Sequence, residues 1–594
     1  MDEPALRHLI ADVRDGRLSR RDFIARMASL GIAAPFAALL LVHAGAAQAQ
    51  SAGFPYKPTK RGGGGALRLL FWQGPTLLNP HFATGTKDGE AAQMFYEALV
   101  VYDNDGLMIP QLASEIPSAA HGGVSADGRT VTWKLKRDVK WHDGAPFTAD
   151  DVVFNWEFAR DPATAAVTSG TMKDLKVEKV DTHTVRVTYP RPTPFWGLFP
   201  TVLQIPKHLF APYMGAKSRD APNNLKPVGT GPYKFADFKP GDLVRATINM
   251  DYHMPNRPHF DTVEIKGGGD ATSAARAVLQ TGEFDFAWNL QVEDEVLKRM
   301  EDGGKGKAHI VPTGDVEFCQ VNLSDPWTEV DGERASPKSR HFAFADVRVR
   351  RALSLLVDRK GIQQFIYGRT GVATANFLNA PARFRSPNTR VEFDVDKASA
   401  LLDAAGWKKS ADGIRVKDGK RLKLVFQTSA NGIRQKEQAV IKQACQKAGI
   451  EMELKSVTAS VFFSTDVANP DTNGKFWADL QMYTVQMGTP DPARLLDRFV
   501  SWEIGSKANK WQGRNAARYS NPEFDKLYLA AEGEMDAVKR VALYIAMNDM
   551  VANEVPAIPM ISRTRVGGFS NRLVFWTSAW DSDLAGLHSW YRPT

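Results

Sequence analysis

Apolar and polar positions alternate in several short stretches in the first third of the chain. Every second residue is apolar between Thr130 and Lys136, and the same spacing recurs between His183 and Tyr189. A period of two is typical of a strand that buries one face. Ala66 to Trp72 is a further apolar run, placed directly after four glycines at positions 62–65. Each of these three stretches therefore predicts a β-strand.

Further along the chain, apolar residues recur at intervals of three and four. From Val349 to Val357 this spacing predicts an amphipathic helix with Asp346 as its N-cap. A second helix is predicted over Asp394 to Ala405, where Gly406 stands at the position of a left-handed cap.

A third predicted helix lies between two predicted strands. The strands are expected over Arg421 to Thr428 and over Glu451 to Val457, and the helix over Arg434 to Ala448. This order is a β-α-β unit, which predicts a parallel pair of strands with a right-handed crossover. The chain as a whole is therefore expected to have an α/β fold.

Residues 1–49 predict an export signal rather than a part of the fold. Ser19-Arg-Arg-Asp-Phe-Ile24 holds paired arginines, and the stretch from Met27 to Ala49 is uncharged and ends in small residues. The segment resembles a twin-arginine signal that is cleaved after Ala49. An uncleaved membrane anchor is the alternative, since about 20 apolar residues can span a bilayer. We favour cleavage and a periplasmic mature chain, because alanine and glycine make the run only mildly hydrophobic.

Composition and charge exclude several classes of protein. The 594 residues, 43% of them hydrophobic, are expected to fold into two to four globular domains. A net charge of +8 without a run of Lys and Arg gives no sign of a nucleic-acid partner. Cys319 and Cys445 lie too far apart for a zinc knuckle or a redox motif. A disulfide between them is possible in the periplasm, but we favour two buried thiols.

The sequence contains none of the short motifs of phosphate-binding loops, dinucleotide folds, nucleophile elbows or zinc proteases. His253 and His259 flank prolines, a poor frame for a metal ion. We therefore predict a protein without catalytic residues, metal or cofactor. An exported hydrolase of phosphate esters or sugars is the alternative, since pairs of catalytic acids leave no short signature.

The segment from Gly128 to Asp151 combines a strand, a turn at His142-Asp-Gly144 and a helix capped near Thr148. It resembles the signature of the family 5 extracellular solute-binding proteins of ABC importers, which bind oligopeptides, dipeptides or nickel. Within this segment Trp141 and His142 are expected to be structural. Other similar segments follow in family order over residues 62–594: Thr76–Pro80, Phe95–Asp103, Val228–Phe235, Gly282–Phe286, Asp346–Ala352, Thr489–Pro492 and Ser520–Asp525.

The resemblance implies two lobes that close on a ligand, with a third, smaller domain inserted in the N-terminal lobe. Lobe I would comprise residues 62–95, 229–312 and 555–594, the inserted domain residues 96–228, and the C-terminal lobe residues 313–554. The implied function is the periplasmic substrate-binding component of an ABC transporter. It would capture a peptide or similar small organic solute and deliver it to permease subunits in the inner membrane. We expect it to be a monomer.

Ligand contacts are expected where strands end, since ligands of α/β folds lie beyond the carboxyl ends of strands. Trp72 and Gln73 end the first predicted strand, and Trp288 and Asn289 follow another. Each of these residues could contact the ligand or pack in the core. Replacing Trp288 with alanine is expected to weaken binding and to leave the fold intact.

The segment from Gln481 to Pro492 is expected to supply the second half of the site, with Tyr483, Gln486 and Met487 as candidate lining residues. Peptide binders of the family carry near here an aspartate that pairs with the α-amine of the peptide. Gly488 stands at that position, and Asp491 is expected to serve a structural Asp-Pro turn. Because a buried ammonium needs a partner, we expect a modified peptide or another amphipathic solute as the ligand.

Overall fold

The computed structural model describes residues 3–14, 17–29 and 56–593, apart from residues 84, 105, 195, 197–198, 464–467, 510 and 512. The predicted cleavage site after Ala49 lies outside the described residues. No helix in the described part of the chain is both long and apolar enough to cross a membrane.

The chain divides into two compact units. Unit N comprises residues 48–311 and 565–594, and unit C comprises residues 1–47 and 312–564.

The described residues of the predicted export signal belong to unit C and form two helices, α1 (Glu3–Arg14) and α2 (Arg20–Ser29). Ile10, Phe23 and Met27 are buried together, and Val538 of unit C packs against them. The Arg7 guanidinium forms an ion pair of 2.7 Å with Asp536.

The sheet of unit N contains both parallel and antiparallel strand pairs. Strand β1 (Ala66–Phe71) pairs in parallel with β9 (Thr262–Gly267) and with β10 (Phe286–Ala287). Strands β7 (Tyr233–Lys239), β8 (Leu243–Ile248) and β9 form an antiparallel meander. In chain order the elements of unit N are β1 (Ala66–Phe71), α3 (Thr86–Ala92), β2 (Val100–Tyr102), β3 (Met108–Pro110), β4 (Thr130–Lys134), α4 (Ala149–Arg160), β5 (Lys176–Asp181), β6 (Thr184–Thr188), α5 (Lys207–Phe210), β7 (Tyr233–Lys239), β8 (Leu243–Ile248), β9 (Thr262–Gly267), α6 (Ala271–Ala275), β10 (Phe286–Ala287), α7 (Asp294–Glu301) and β11 (Gly306–Val321), which continues into unit C.

Residues 99–202 of unit N contain a hydrophobic cluster of their own around the sheet β4-β6-β5. The predicted strands at 130–136 and 183–189 are confirmed as β4 and β6, each two residues shorter than predicted. Helix α4 begins with a capping box between Thr148 and Asp151. Trp141 is buried, and the Nδ1 atom of His142 accepts a 3.1 Å hydrogen bond from the Gly229 amide, which fits the structural roles expected for both. A separate inserted domain at 96–228 stays a prediction.

Unit C contains the predicted β-α-β unit. Strand β18 (Lys423–Ser429) pairs in parallel with β19 (Glu451–Val457) on one side and with β20 (Leu480–Val485) on the other. Strand β20 pairs antiparallel with β11. In chain order the elements after β11 are β12 (Glu329–Val330), β13 (Glu333–Arg334), α8 (Val347–Leu355), α9 (Arg359–Ile362), β14 (Gly371–Ala373), α10 (Val395–Ala404), β15 (Lys408–Lys409), β16 (Arg415–Lys417), β17 (Lys420–Arg421), β18 (Lys423–Ser429), α11 (Gly432–Lys447), β19 (Glu451–Val457), α12 (Ala459–Phe462), β20 (Leu480–Val485), α13 (Ala493–Leu496), α14 (Pro522–Gly533), α15 (Ala537–Glu554) and β21 (Ala557–Ser570), which ends in unit N.

Buried residues of α8, α10 and α11 pack with β11, β18 and β20 into one core. Cys319 of β11 and Cys445 of α11 are both buried in this core, and both are free thiols. The expectation of two buried thiols is therefore confirmed. Burial raises the pKa of the Cys445 thiol to about 12, which keeps it protonated and unreactive.

The end of α11 depends on a glycine in the left-handed region. Gly449 has a φ of +87°, and a Cβ there would lie 2.8 Å from the Gly413 carbonyl oxygen. Gly432, at the start of the same helix, has open space around its Cα. The two glycines therefore meet different constraints within one helix.

We predict that Gly449→Ala lowers the free energy of unfolding by at least about 1–2 kcal/mol, which is the cost of placing a residue with a Cβ in the left-handed region. The clash of this Cβ with the Gly413 carbonyl oxygen adds to that cost. Gly432→Ala is the matched control and should be neutral or stabilise by up to about 1 kcal/mol. Chemical denaturation of both variants measures the difference. Equal stability of the two variants would contradict the assignment of strain to Gly449.

Candidate functional site

In unit C the carboxyl ends of three neighbouring strands lie at one edge of the sheet, because β18 is parallel to both β19 and β20. Such an edge is the usual ligand position in α/β folds. Residues 486–488 follow β20 directly. The candidate segment of the sequence is therefore placed at this edge by the direction of the strands.

Tyr483 lies within β20 and is 7% exposed. Its hydroxyl donates a 3.3 Å hydrogen bond to Oε1 of Gln320. Its ring contacts Phe318 at a centroid distance of 4.8 Å and Phe463 at 6.2 Å, and Phe463 itself is about half exposed. Tyr483 is therefore the inner part of an aromatic cluster that reaches the surface at Phe463.

The three residues after β20 differ in their exposure to solvent. Gln486 and Gly488 are exposed, and a Cβ at Gly488 would meet no atom within 4 Å. Met487 is buried, its amide donates a 3.0 Å hydrogen bond to Asp315, and its side chain covers Gly314. Gln486 and Gly488 thus leave surface for a ligand, whereas Met487 packs in the protein.

Asp491 is held in place by two neighbouring groups. Its Oδ1 atom accepts a 2.9 Å hydrogen bond from the Ala493 amide, and its Oδ2 atom forms an ion pair with Arg540. Asp491 is 5% exposed. The geometry fits the expected structural turn, and both carboxylate oxygens of Asp491 are engaged by groups of the protein.

In unit N, β1, β9 and β10 are parallel, so that their carboxyl ends also share one edge. Trp72 follows β1, is half-buried, and donates a 2.9 Å hydrogen bond from Nε1 to the Asn289 carbonyl. Gln73 is exposed. Asn289 is partly exposed and has a φ of +54°. The structure thus brings three of the four candidates of this unit together at one edge, with polar atoms near the surface.

Trp288, the fourth candidate, points into the core of unit N. It is 4% exposed and stacks on Phe71 at 5.2 Å with an interplanar angle of 19°. The expectation that Trp288→Ala would leave the fold intact needs correction. Removing a buried indole creates a cavity and typically costs about 3–5 kcal/mol.

A polar cluster at the edge of unit C escaped the sequence analysis. Glu317 is fully buried on β11, and Arg434, in the first turn of α11, donates to it at 2.7 Å. Arg434 also donates to Ser429 at the end of β18, at 2.7 Å. Thr484 donates to Glu317 and accepts a 2.9 Å hydrogen bond from Arg563. In the sequence, only the position of Arg434 after a predicted strand pointed to this cluster. Its partner Glu317 lies 117 residues away, so that no local pattern joins the two residues.

A second carboxyl group, Glu437, is buried beside this cluster. Burial and the nearby Glu317 raise the pKa of Glu437 to about 8, against opposing effects of Tyr367, Arg434 and Arg563. The two arginines hold the pKa of Glu317 below its usual value. Glu437 is therefore neutral at pH 7 and Glu317 is ionised.

Comparison with known proteins identifies the family of this chain. A family model described as bacterial extracellular solute-binding proteins, family 5 Middle, matches residues 108–506, more than half of the chain. The chain belongs to this family. The oligopeptide-binding protein AppA of Bacillus subtilis is 28% identical to it over 493 residues, which cover 81% of this chain and 83% of AppA. The glutathione-binding protein GsiB of Escherichia coli K12 is 24% identical over 84% of this chain and 90% of GsiB.

Solved structures of the family share the fold. The structure of Bacillus subtilis AppA in complex with a nonapeptide matches with a TM-score of 0.70 at 25% identity, over 91% of this chain and all of that one. NikZ of Campylobacter jejuni in complex with Ni(L-His) also gives a TM-score of 0.70, at 22% identity, over 89% of this chain and 99% of NikZ. The predicted α/β fold is confirmed.

This family membership decides between the two functions that the sequence left open. The protein is a solute-binding protein of the ABC transporter type, and the relatives that it matches are substrate-binding proteins. The alternative of an exported hydrolase finds no support. At the edge of unit C, Glu317 and Asp491 are engaged by Arg434 and Arg540.

The structure of NikZ, which holds Ni(L-His), raises the question of a metal site. Among the described residues, no group of three or more His, Cys, Asp or Glu side chains is arranged to hold a metal ion. His253 instead lies 3.0 Å from Glu97, a buried carboxylate that also accepts a hydrogen bond from Tyr252.

We predict that Glu437→Gln stabilises the protein above neutral pH. The folded chain keeps the Glu437 proton up to about pH 8, whereas the unfolded chain releases it near its ordinary value of 4.5. The free energy of unfolding of the wild-type protein should therefore fall by on the order of a few kcal/mol between about pH 5 and 8. It should fall less in the variant. Thermal unfolding from pH 4 to 9 measures this slope. Glu523→Gln, at an exposed site, should keep the wild-type slope, and an unchanged slope in Glu437→Gln would refute the shift.

Proposed function

We propose that the protein binds a peptide or peptide-like small organic solute and delivers it to permease subunits of an ABC transporter in the inner membrane. The observation that carries this proposal is the match to AppA, whose solved structure holds a nonapeptide. The ring of Tyr483 within β20 supports it, and so do the exposed amide groups of Gln486, which follows β20, and of Gln73 in unit N. Such groups bind amphipathic solutes through ring contacts and hydrogen bonds.

The solute is expected to lack a free α-amine at the Gly488 position. Gly488 supplies no side chain, and Asp491 is occupied by Arg540. A charge-assisted hydrogen bond to a carboxylate is worth about 1.5–3 kcal/mol, which the wild-type protein does not gain from either residue. N-blocked peptides and other amphipathic solutes are therefore preferred over simple di- and tripeptides.

Calorimetry against matched peptide libraries tests this proposal. Wild-type protein should bind N-acetylated tripeptides at least as tightly as free-amine ones. Gly488→Asp has open space for its side chain and should gain roughly tenfold to 100-fold affinity for the free-amine set alone. Gly533→Asp, at another exposed glycine with open space, is the control and should gain nothing.

Two results would count against the proposal. Submicromolar binding of free dipeptides that is lost on acetylation would show that another acid holds the amine. Chemical conversion of a bound peptide would show that the protein is not a simple binder. Native mass spectrometry of protein purified from its own host identifies retained cargo, which should be recovered intact.

We further propose that the protein reaches the periplasm by the twin-arginine route. Arg21 is exposed on α2, while Phe23 of the same segment is buried. Replacing both Arg20 and Arg21 with lysine should leave the precursor in the cytoplasm, because the motif requires the guanidinium pair. Cell fractionation measures the distribution, with Arg26→Lys as the control that should be exported normally. Normal export of the double variant would exclude this route.

A further inference from the structure

The two helices of the predicted export signal pack against the start of α15 in unit C. Ile10 of α1 is buried together with Phe23 and Met27 of α2. Val538, in the first turn of α15, packs against this apolar cluster. The helices span 12 and 10 residues, and isolated helices of this length are marginal in water. Their fold therefore depends on packing, both with each other and with unit C.

An ion pair joins the signal to the same turn of α15. Nη1 of Arg7 donates to Oδ2 of Asp536 at 2.7 Å. Oδ1 of Asp536 accepts hydrogen bonds of 3.0 and 3.1 Å from the amides of Val538 and Lys539 and caps α15. Burial of Asp536 favours its neutral form, but Arg7 and the two amides hold the pKa of Asp536 below its usual value. Asp536 therefore caps a helix of unit C with one oxygen and binds the signal with the other.

The twin-arginine motif itself is folded in the docked signal. Oγ of Ser19 accepts a 3.1 Å hydrogen bond from the Asp22 amide and donates a 2.6 Å one to the Asp22 carboxylate. This cap places both arginines in the first turn of α2, directly before the buried Phe23. Twin-arginine signals are read by a receptor. A receptor that binds this segment cannot contact Phe23 as long as α2 stays docked.

We propose that the start of α15 is a docking surface for the export signal, and that docking and recognition by the export receptor exclude each other. This inference rests on the proposed export of the chain, since the receptor is the competitor for the docked segment. A partly exposed ion pair and a few apolar side chains form the described contact, so that docking is weak and reversible. The receptor then binds with an affinity reduced to the fraction of signal that is undocked.

Hydrogen exchange on the full-length precursor tests docking with substitutions that leave the signal sequence unchanged. Asp536→Asn keeps a good N-cap and removes the charge, and Val538→Asn removes the apolar contact. The backbone amides of α2 should exchange about twofold to fivefold faster in Asp536→Asn and at least about tenfold faster in the double variant. Lys539→Gln removes a charge from an exposed position on the same turn and should exchange as the wild type does.

Arg7→Gln breaks the same ion pair from the side of the signal and lies outside the twin-arginine motif. If Arg7 acts through Asp536, the variant that combines Arg7→Gln with Asp536→Asn should exchange no faster than Asp536→Asn alone. Additive effects of the two substitutions would refute this ion pair as a docking contact. Equal exchange of the α2 amides in the wild type and in the Asp536→Asn/Val538→Asn variant would refute docking altogether.

Pulse-chase fractionation measures the export of the same variants. The Asp536→Asn/Val538→Asn variant should appear in the periplasm about twofold faster or more, although its signal is that of the wild type, and Lys539→Gln should not. Faster exchange of the α2 amides with unchanged or slower export would refute competition with the receptor. Normal export of the variant with lysine at positions 20 and 21 excludes the twin-arginine route, whereas the exchange and export rates of the α15 variants decide the docking proposal independently.

Discussion

The parallel pairing of β18 with β19 and β20 is the constraint on which the candidate site of unit C depends. Parallel strands cannot be joined by tight turns, so each connection must cross one face of the sheet, here through α11. The strands consequently end at one edge, and the loops that follow them meet there. The same logic applies within unit N to β1, β9 and β10. Strand direction, not any single side chain, thus determines where each candidate residue lies.

Elements near this edge were predictable because their signals are local. Strand β19 agrees with its predicted bounds, and α11 starts two residues before its predicted start at Arg434. The difference has a physical cause: the side chain of Asn431 accepts a hydrogen bond from the Arg434 amide and caps the helix early. Capping and periodicity act over a few residues, so that sequence inspection can find them.

The parts of the site that escaped prediction depend on contacts between distant residues. Met487 and Trp288 follow strands as expected, yet both side chains turn inward, because Gly314 and Phe71 provide the surfaces that receive them. The Glu317–Arg434 ion pair spans 117 residues, and the Tyr483–Gln320 hydrogen bond spans 163. A spacing rule along one chain does not encode such pairs. The sequence therefore identifies the edge and several residues on it, while tertiary packing decides which of them face outward.

Two buried carboxylates at the edge of unit C are each compensated by an arginine. Asp491 is neutralised by Arg540 and Glu317 by Arg434. Gly488 contributes no charge. Because folding disfavours a buried charge that is left unpaired, these two carboxylates serve the fold and are not available to the ammonium group of a solute. The absent side chain at Gly488 and the arginine-paired carboxylates of Glu317 and Asp491 therefore all disfavour a solute that presents a free ammonium group at this edge.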